Sequence, residues 1–251
     1  LRALGFRASP DSLRALLETA TKPRSSPTEV CEKLVDMERR ARDANNLDRR
    51  TRAATLGSFS TLDCFDWNHP RSIDRPLYEH LLALGFLEHG QNVLLRGPSG
   101  VGKTTLAQNL GLAALQHGYT VRFTTLASAL ADLLKQESMP ALDRRMRRYT
   151  QPDLLILDEL GYLPCDGRSG DILYNIISQR HEKRSTVIST NLPFKQWGTV
   201  FAGAACVSAL VDRFVQHCHV LDIEADSWRQ KQADTVKPQG ASSRKKPPKS
   251  T

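Results

Sequence analysis

Eight consecutive residues, Gly97-Pro98-Ser99-Gly100-Val101-Gly102-Lys103-Thr104, have the glycine and lysine spacing of a phosphate cradle. The glycines at 97, 100 and 102 let the backbone bend tightly, so that its N–H groups can face the β- and γ-phosphates of a nucleoside triphosphate. Lys103 is placed to reach the β/γ oxygens, the Thr104 hydroxyl to ligate Mg²⁺, and Thr105 carries the cradle into the next element. Downstream, Leu154-Leu155-Ile156-Leu157 runs into Asp158-Glu159. Asp158 suits the same Mg²⁺, and Glu159 suits the orientation and polarisation of an attacking water. Asn191 ends a further strand begun at Thr186 and falls at the same sheet edge, near the γ-phosphate. Together these residue types can hydrolyse a phosphoanhydride.

The flanking segments supply what must position them. Asn92–Arg96 is an apolar strand, and Thr105–Leu115 is apolar at helical spacing, giving strand, glycine-rich turn and helix in order. Four apolar residues before Asp158 describe a buried parallel strand. Tyr119–Thr125 and Val220–Ile223 read as further strands, and Asp171–Glu182 and Val207–His217 as helices. The expected fold is α/β around a central parallel sheet. Leu126–Gln136 and Leu142–Tyr149 read as two helices broken at Pro140, the second carrying Arg144, Arg145, Arg147 and Arg148 as a dense basic face.

Residues 1–55 are organised apart, as a small helical region. Ser12–Ala20 and Thr28–Asn46 read as helices across the break Lys22-Pro23-Arg24-Ser25-Ser26-Pro27. The arginines that follow, Arg49, Arg50 and Arg52, suit phosphate contacts and a solvated face alike. Leu56–Pro76 reads as a linker of turns with Phe59, Phe65 and Trp67 as packing anchors, and Tyr78–Phe86 as a short helix. Residues 230–251 have the Lys-, Pro- and Ser-rich composition of a basic disordered tail.

Charge is unevenly spread: net +4 over residues 1–60, −2 over 61–226 and +6 over 227–251. Basic ends on a near-neutral middle suggest a nucleic-acid partner. No uninterrupted run approaches 18 apolar residues, so no membrane-spanning helix is expected. The 5 cysteines are odd in number and scattered, which fits free thiols in a reducing cytoplasm. His217-Cys218-His219 reads as structural filler, since neighbours in a strand alternate sides. Leu1 in place of Met reads as a trimmed start, and Leu1–Pro10 lacks the apolar core of a signal peptide.

The run Asp153-Leu154-Leu155-Ile156-Leu157-Asp158-Glu159-Leu160-Gly161-Tyr162-Leu163-Pro164 resembles the Walker B segment of IstB-like ATPases, AAA+ helpers of insertion sequences whose transposase is IstA. Segments 84–95, 189–198 and 210–218 agree, and the likeness runs from about Leu56 to Arg229. The resemblance implies an AAA+ three-layer sandwich over residues 56–229 that binds ATP with Mg²⁺. It implies Gly97–Thr105 and Asp158 as the nucleotide contacts, Thr104 and Asp158 as the Mg²⁺ ligands, and Lys103, Glu159 and Asn191 (sensor 1) as catalytic residues. It further implies Arg213 as an arginine finger reaching a neighbouring subunit of a homo-oligomer, and Arg229 as a sensor 2 arginine. The two helices between Leu126 and Tyr149 occupy the place of an insertion that lines DNA, which lends Arg144, Arg145, Arg147 and Arg148 a role on double-stranded DNA. The 1–55 region would contact the transposase or DNA. A replicative-helicase loader of the DnaC type shares most of these features and stays open as the alternative.

Overall fold

A computed structural model describes residues 5–20, 26–161, 166–201 and 205–228. Arg229, the 230–251 tail, Tyr162–Pro164 and Cys165 therefore lie outside the described residues. Helices α1 (Pro10–Ala20) and α2 (Pro27–Ala54) come first. α2 opens on a capping box: Ser26 accepts from the Glu29 N–H, and the Glu29 carboxylate accepts from the Ser26 N–H.

The rest of the chain is β1 (Ser72–Ile73), α3 (Arg75–Leu82), α4 (Gly85–Glu88), β2 (Asn92–Arg96), α5 (Lys103–Gln116), β3 (Val121–Thr125), α6 (Leu126–Leu134), α7 (Met139–Thr150), β4 (Leu154–Leu160), α8 (Gly167–Arg180), β5 (Ser185–Thr190), α9 (Trp197–Val200), α10 (Val207–Val215) and β6 (Cys218–Glu224). The strands form one sheet in the order β1-β6-β2-β5-β4-β3. β6, β2, β5, β4 and β3 are parallel, as expected, and β1 pairs antiparallel with β6 at one edge. That sixth strand corrects the reading of 56–76 as a linker of turns alone: Ser72 and Ile73 pair with Glu224 and Ile223.

Alternation along β2 divides the core. Val93 and Leu95 face a cluster with Leu106 and Leu110 of α5, while Leu94 faces a second cluster with Leu173 and Ile176 of α8, Trp197 and Phe214. Helices thus cover both faces, and the layers number three. The end of α2 joins the first cluster through Leu47 and Ala54, the latter fully buried, and the helix continues 8 residues past the expected stop at Asn46. Gln108 and Asn109 of α5 hold the linker, donating to the carbonyls of Leu56 (2.7 Å) and Ser60 (3.0 Å). Cys218 packs partly buried against the second cluster, and burial pushes its thiol up to about 12. Among the described residues no group of three or more His, Cys, Asp or Glu could hold a metal ion, and no helix is long and apolar enough to cross a membrane.

Candidate nucleotide site

β2 delivers the chain to the turn at Gly97, whose N–H donates to the Thr190 carbonyl at 3.1 Å. α5 then starts at Lys103, with Gly102 as its left-handed N-cap (φ 94°). A Cβ on Gly102 would sit 2.7 Å from the Phe65 ring, so the site excludes any larger residue on space and on backbone conformation together. Gly100 is approached by Ser227, and its carbonyl accepts from the Trp228 N–H at 3.1 Å. The segment after β6 is thus bonded to the glycine loop.

Lys103 is buried, and its ammonium donates to the Gly97 and Pro98 carbonyls at 2.7 and 2.6 Å. The Thr104 hydroxyl donates to Asp158 Oδ2 at 2.9 Å, joining the start of α5 to the end of β4. Asp158 is 3% exposed, and its Oδ1 accepts from the Ser189 hydroxyl on β5. Glu159 is exposed and has a left-handed backbone (φ 64°), which costs a non-glycine residue about 1–2 kcal/mol. Strain of this size in a non-glycine residue tends to mark a functional position.

These groups open on a cavity of about 380 Å³. Ser99, Gly100, Val101, Gly102, Lys103, Thr104, Thr105 and Glu159 line it, whereas Gly97, Pro98 and Asp158 stand behind the lining. Sequence reasoning missed Ser189, Cys64, Asp66 and His69, and assigned Phe65 only to packing, yet all five line the cavity. His69 meets Trp228 edge-on with centroids 4.7 Å apart, an aromatic pair within the cavity lining. The one available signal was the aromatic density of residues 65–69, upstream of the strand that leads to the glycine loop.

Two expected catalytic residues lie off this cavity. Asn191 follows β5 and is exposed, its Oδ1 3.6 Å from where a Cβ on Gly161 would stand. Arg213 lies on α10 with its guanidinium carbon 5.0 Å from the centre of the Tyr174 ring.

The expected four-arginine face divides. Arg144, Arg147 and Arg148 are exposed, but Arg145 turns to Asp132 of α6, with contacts of 2.5 and 2.7 Å. The Tyr149 hydroxyl donates to the same carboxylate. The side-chain hydrogen bond from Arg145 holds the Asp132 carboxyl below the usual range. Arg145 is therefore part of the α6–α7 joint and not of the open basic face. Arg122 of β3 lies near Arg148 and Arg145; burial and then Arg148 lower its pKa.

A parallel sheet with the glycine loop after β2, and an acidic pair ending β4 one strand away across β5, define a P-loop nucleotide-binding domain of the AAA+ class. Residues 2–236 match the sequence profile of the IstB-like ATP binding proteins, and the chain belongs to that family. It is 33% identical over 220 residues to a protein of Pseudomonas aeruginosa named "Insertion sequence IS21 putative ATP-binding protein", covering 88% of this chain and 83% of that one. A protein of Bacillus thuringiensis subsp. berliner, named likewise for insertion sequence IS232, is 34% identical, covering 80% of each. AMPPCP-bound DnaA from Aquifex aeolicus superposes with a TM-score of 0.55 at 23% identity, over 72% of this chain and 55% of DnaA. DnaI superposes with a TM-score of 0.53 at 18% identity, over 67% of this chain and 89% of DnaI. The two structures share the fold.

Proposed function

We propose that this protein is an Mg²⁺-dependent ATPase that assists transposition of an insertion sequence by assembling on double-stranded DNA and engaging an IstA-type transposase. The observation that carries the hydrolytic part is the convergence of Lys103, Thr104 and Glu159 on one cavity, with Asp158 bonded behind Thr104. The ammonium of Lys103 exchanges its loop carbonyls for the β/γ oxygens when the triphosphate enters. The Thr104 hydroxyl and the Asp158 carboxylate form a set of hard oxygen donors that suits Mg²⁺, which when bound neutralises phosphate oxygens. Glu159 accepts a hydrogen bond from the attacking water and draws off its proton. The water oxygen bonds to the γ-phosphorus as the bond to the β–γ bridging oxygen breaks; ADP keeps that oxygen, and inorganic phosphate and one proton are released. Asn191 acts as the sensor of the γ-phosphate from the end of β5.

Arg213 completes the site of a neighbouring subunit, and Arg144, Arg147 and Arg148 contact duplex phosphates. The reading as a transposition helper, ahead of a helicase loader, is supported by relatives at 33 and 34% identity that are named for insertion sequences. Glu159→Gln keeps the shape and removes the charge that polarises water. It should bind ATP normally, hydrolyse it about 100-fold more slowly and stay longer on duplex DNA. ATPase activity within about twofold of wild type would reject Glu159 in this role.

A further inference from the structure

β4 and β5 fall out of step at one place. Leu157 faces Ile188 and Leu160 faces Thr190, so Asp158 and Glu159 together stand opposite the single residue Ser189. This is a β-bulge, the device that re-aims a side chain beside a site. The bulge takes the Glu159 N–H out of the backbone ladder, and the Ser189 hydroxyl oxygen accepts it instead, at 3.0 Å. That same hydroxyl gives its own proton to Asp158 Oδ1, while Asp158 Oδ2 accepts from Thr104. One side chain, 1% exposed and at the cavity wall, therefore connects both carboxylate residues.

We propose that Ser189 is the positioning residue of the hydrolytic step: it holds the Asp158–Glu159 bulge so that the Glu159 carboxylate points at the attacking water. The proposal rests on the reading of Glu159 given above. No backbone group replaces the hydroxyl as acceptor, because the ladder resumes only at Leu160 and Thr190. Without it the Glu159 N–H loses its partner, the left-handed turn loses its support, and Asp158 keeps only the Thr104 bond of the two. Apart from Ser189 itself, the residues that line the cavity, Lys103 among them, are unchanged, so triphosphate affinity survives while the chemical step slows.

The test measures steady-state hydrolysis of Mg·ATP and ATP affinity in Ser189→Ala, Ser189→Thr, Glu159→Gln and the Glu159→Gln/Ser189→Ala double variant. Ser189→Ala should lower kcat by about 10-fold or more with ATP affinity within about twofold of wild type, and Ser189→Thr, which keeps the hydroxyl, should restore most of it. In the Glu159→Gln background the serine change should cost much less than in wild type, since Ser189 acts chiefly through Glu159. Should Ser189→Ala not fold, Ser189→Cys keeps the shape with a far weaker acceptor and carries the same expectations. Wild-type kcat in Ser189→Ala beside a slow Glu159→Gln overturns this proposal alone, as does an undiminished serine effect in the Glu159→Gln background. Wild-type kcat in Glu159→Gln overturns the Glu159 reading beneath it.

Discussion

Arg213 of α10 lies over the face of Tyr174 of α8, a cation on an aromatic ring within one chain. Arg213 is half-buried and is not among the residues that line the cavity. Arg213→Ala should bind ATP almost normally and lose DNA-stimulated hydrolysis, by about 10³-fold if the arginine neutralises γ-phosphoryl charge. Mixed with Lys103→Ala, which offers Arg213 but binds no ATP, it should regain part of the activity that neither variant has alone. A co-assembled mixture with no recovery would confine Arg213 to its Tyr174 contact.

The division of the basic face separates two kinds of arginine. Replacing Arg144, Arg147 and Arg148 by Gln should weaken binding to any duplex and reduce the slope of log affinity against log salt by about 2–3, near 0.9 per phosphate contact. Arg145→Gln should leave that slope alone and lower the melting temperature, because it strips Asp132 of its bidentate partner. Salt titrations of binding alongside thermal melts distinguish the two patterns.

Asp132 also gives the protein a pH signature. Its carboxyl is held below the usual 3.8 by the Arg145 hydrogen bond, so folding favours the ionised form. The resulting stability is complete above the unfolded value and is lost as pH falls through the folded one. Wild type should thus melt above Asp132→Asn at neutral pH, and the gap should close as pH drops below about 4. A gap that stays constant down to pH of about 2.5 would contradict the assignment.

Two glycines with similar backbones make a controlled comparison. Gly118 (φ 96°) faces open space, and Gly102 (φ 94°) faces Phe65. Gly118→Ala should cost only the left-handed backbone, about 1–2 kcal/mol. Gly102→Ala should cost more, and it alone should impair nucleotide affinity, as read by thermal melts with and without ATP.

The glycine loop and the acidic strand end were legible because each is a local pattern: glycine spacing, then an apolar run that stops at charge. Ser189 was not, because its partners stand 30 and 31 residues away and meet it only through the β4–β5 register. Nothing in Thr186–Asn191 separates that serine from any other polar residue of a strand. The inward turn of Arg145 escaped notice for a related reason, its carboxylate being on the preceding helix. β1 has only two residues, too few to show a period, and Phe65, His69 and Trp228 converge from opposite ends of the domain. α2 was stopped short at Asn46 because its polar continuation carries no stripe of its own; packing of Leu47 and Ala54, with Arg50 donating to the Leu115 carbonyl, extends it.

That extension gives α2 mechanical leverage. Its last turn is fastened to the sheet edge, where Thr55 donates to the Phe123 carbonyl and Arg122 to that of Ala53. Nearer its start, Glu38 accepts the Arg7 and Ala8 N–H groups and so ties in the approach to α1. A continuous helix of 28 residues is about 42 Å long. Tilting its anchored end by about 10° swings the free end through about 7 Å, with no hinge between them to absorb it. Small rotations of the α/β core at β3 would therefore reach α1 enlarged, as the movement of a boom about its footing.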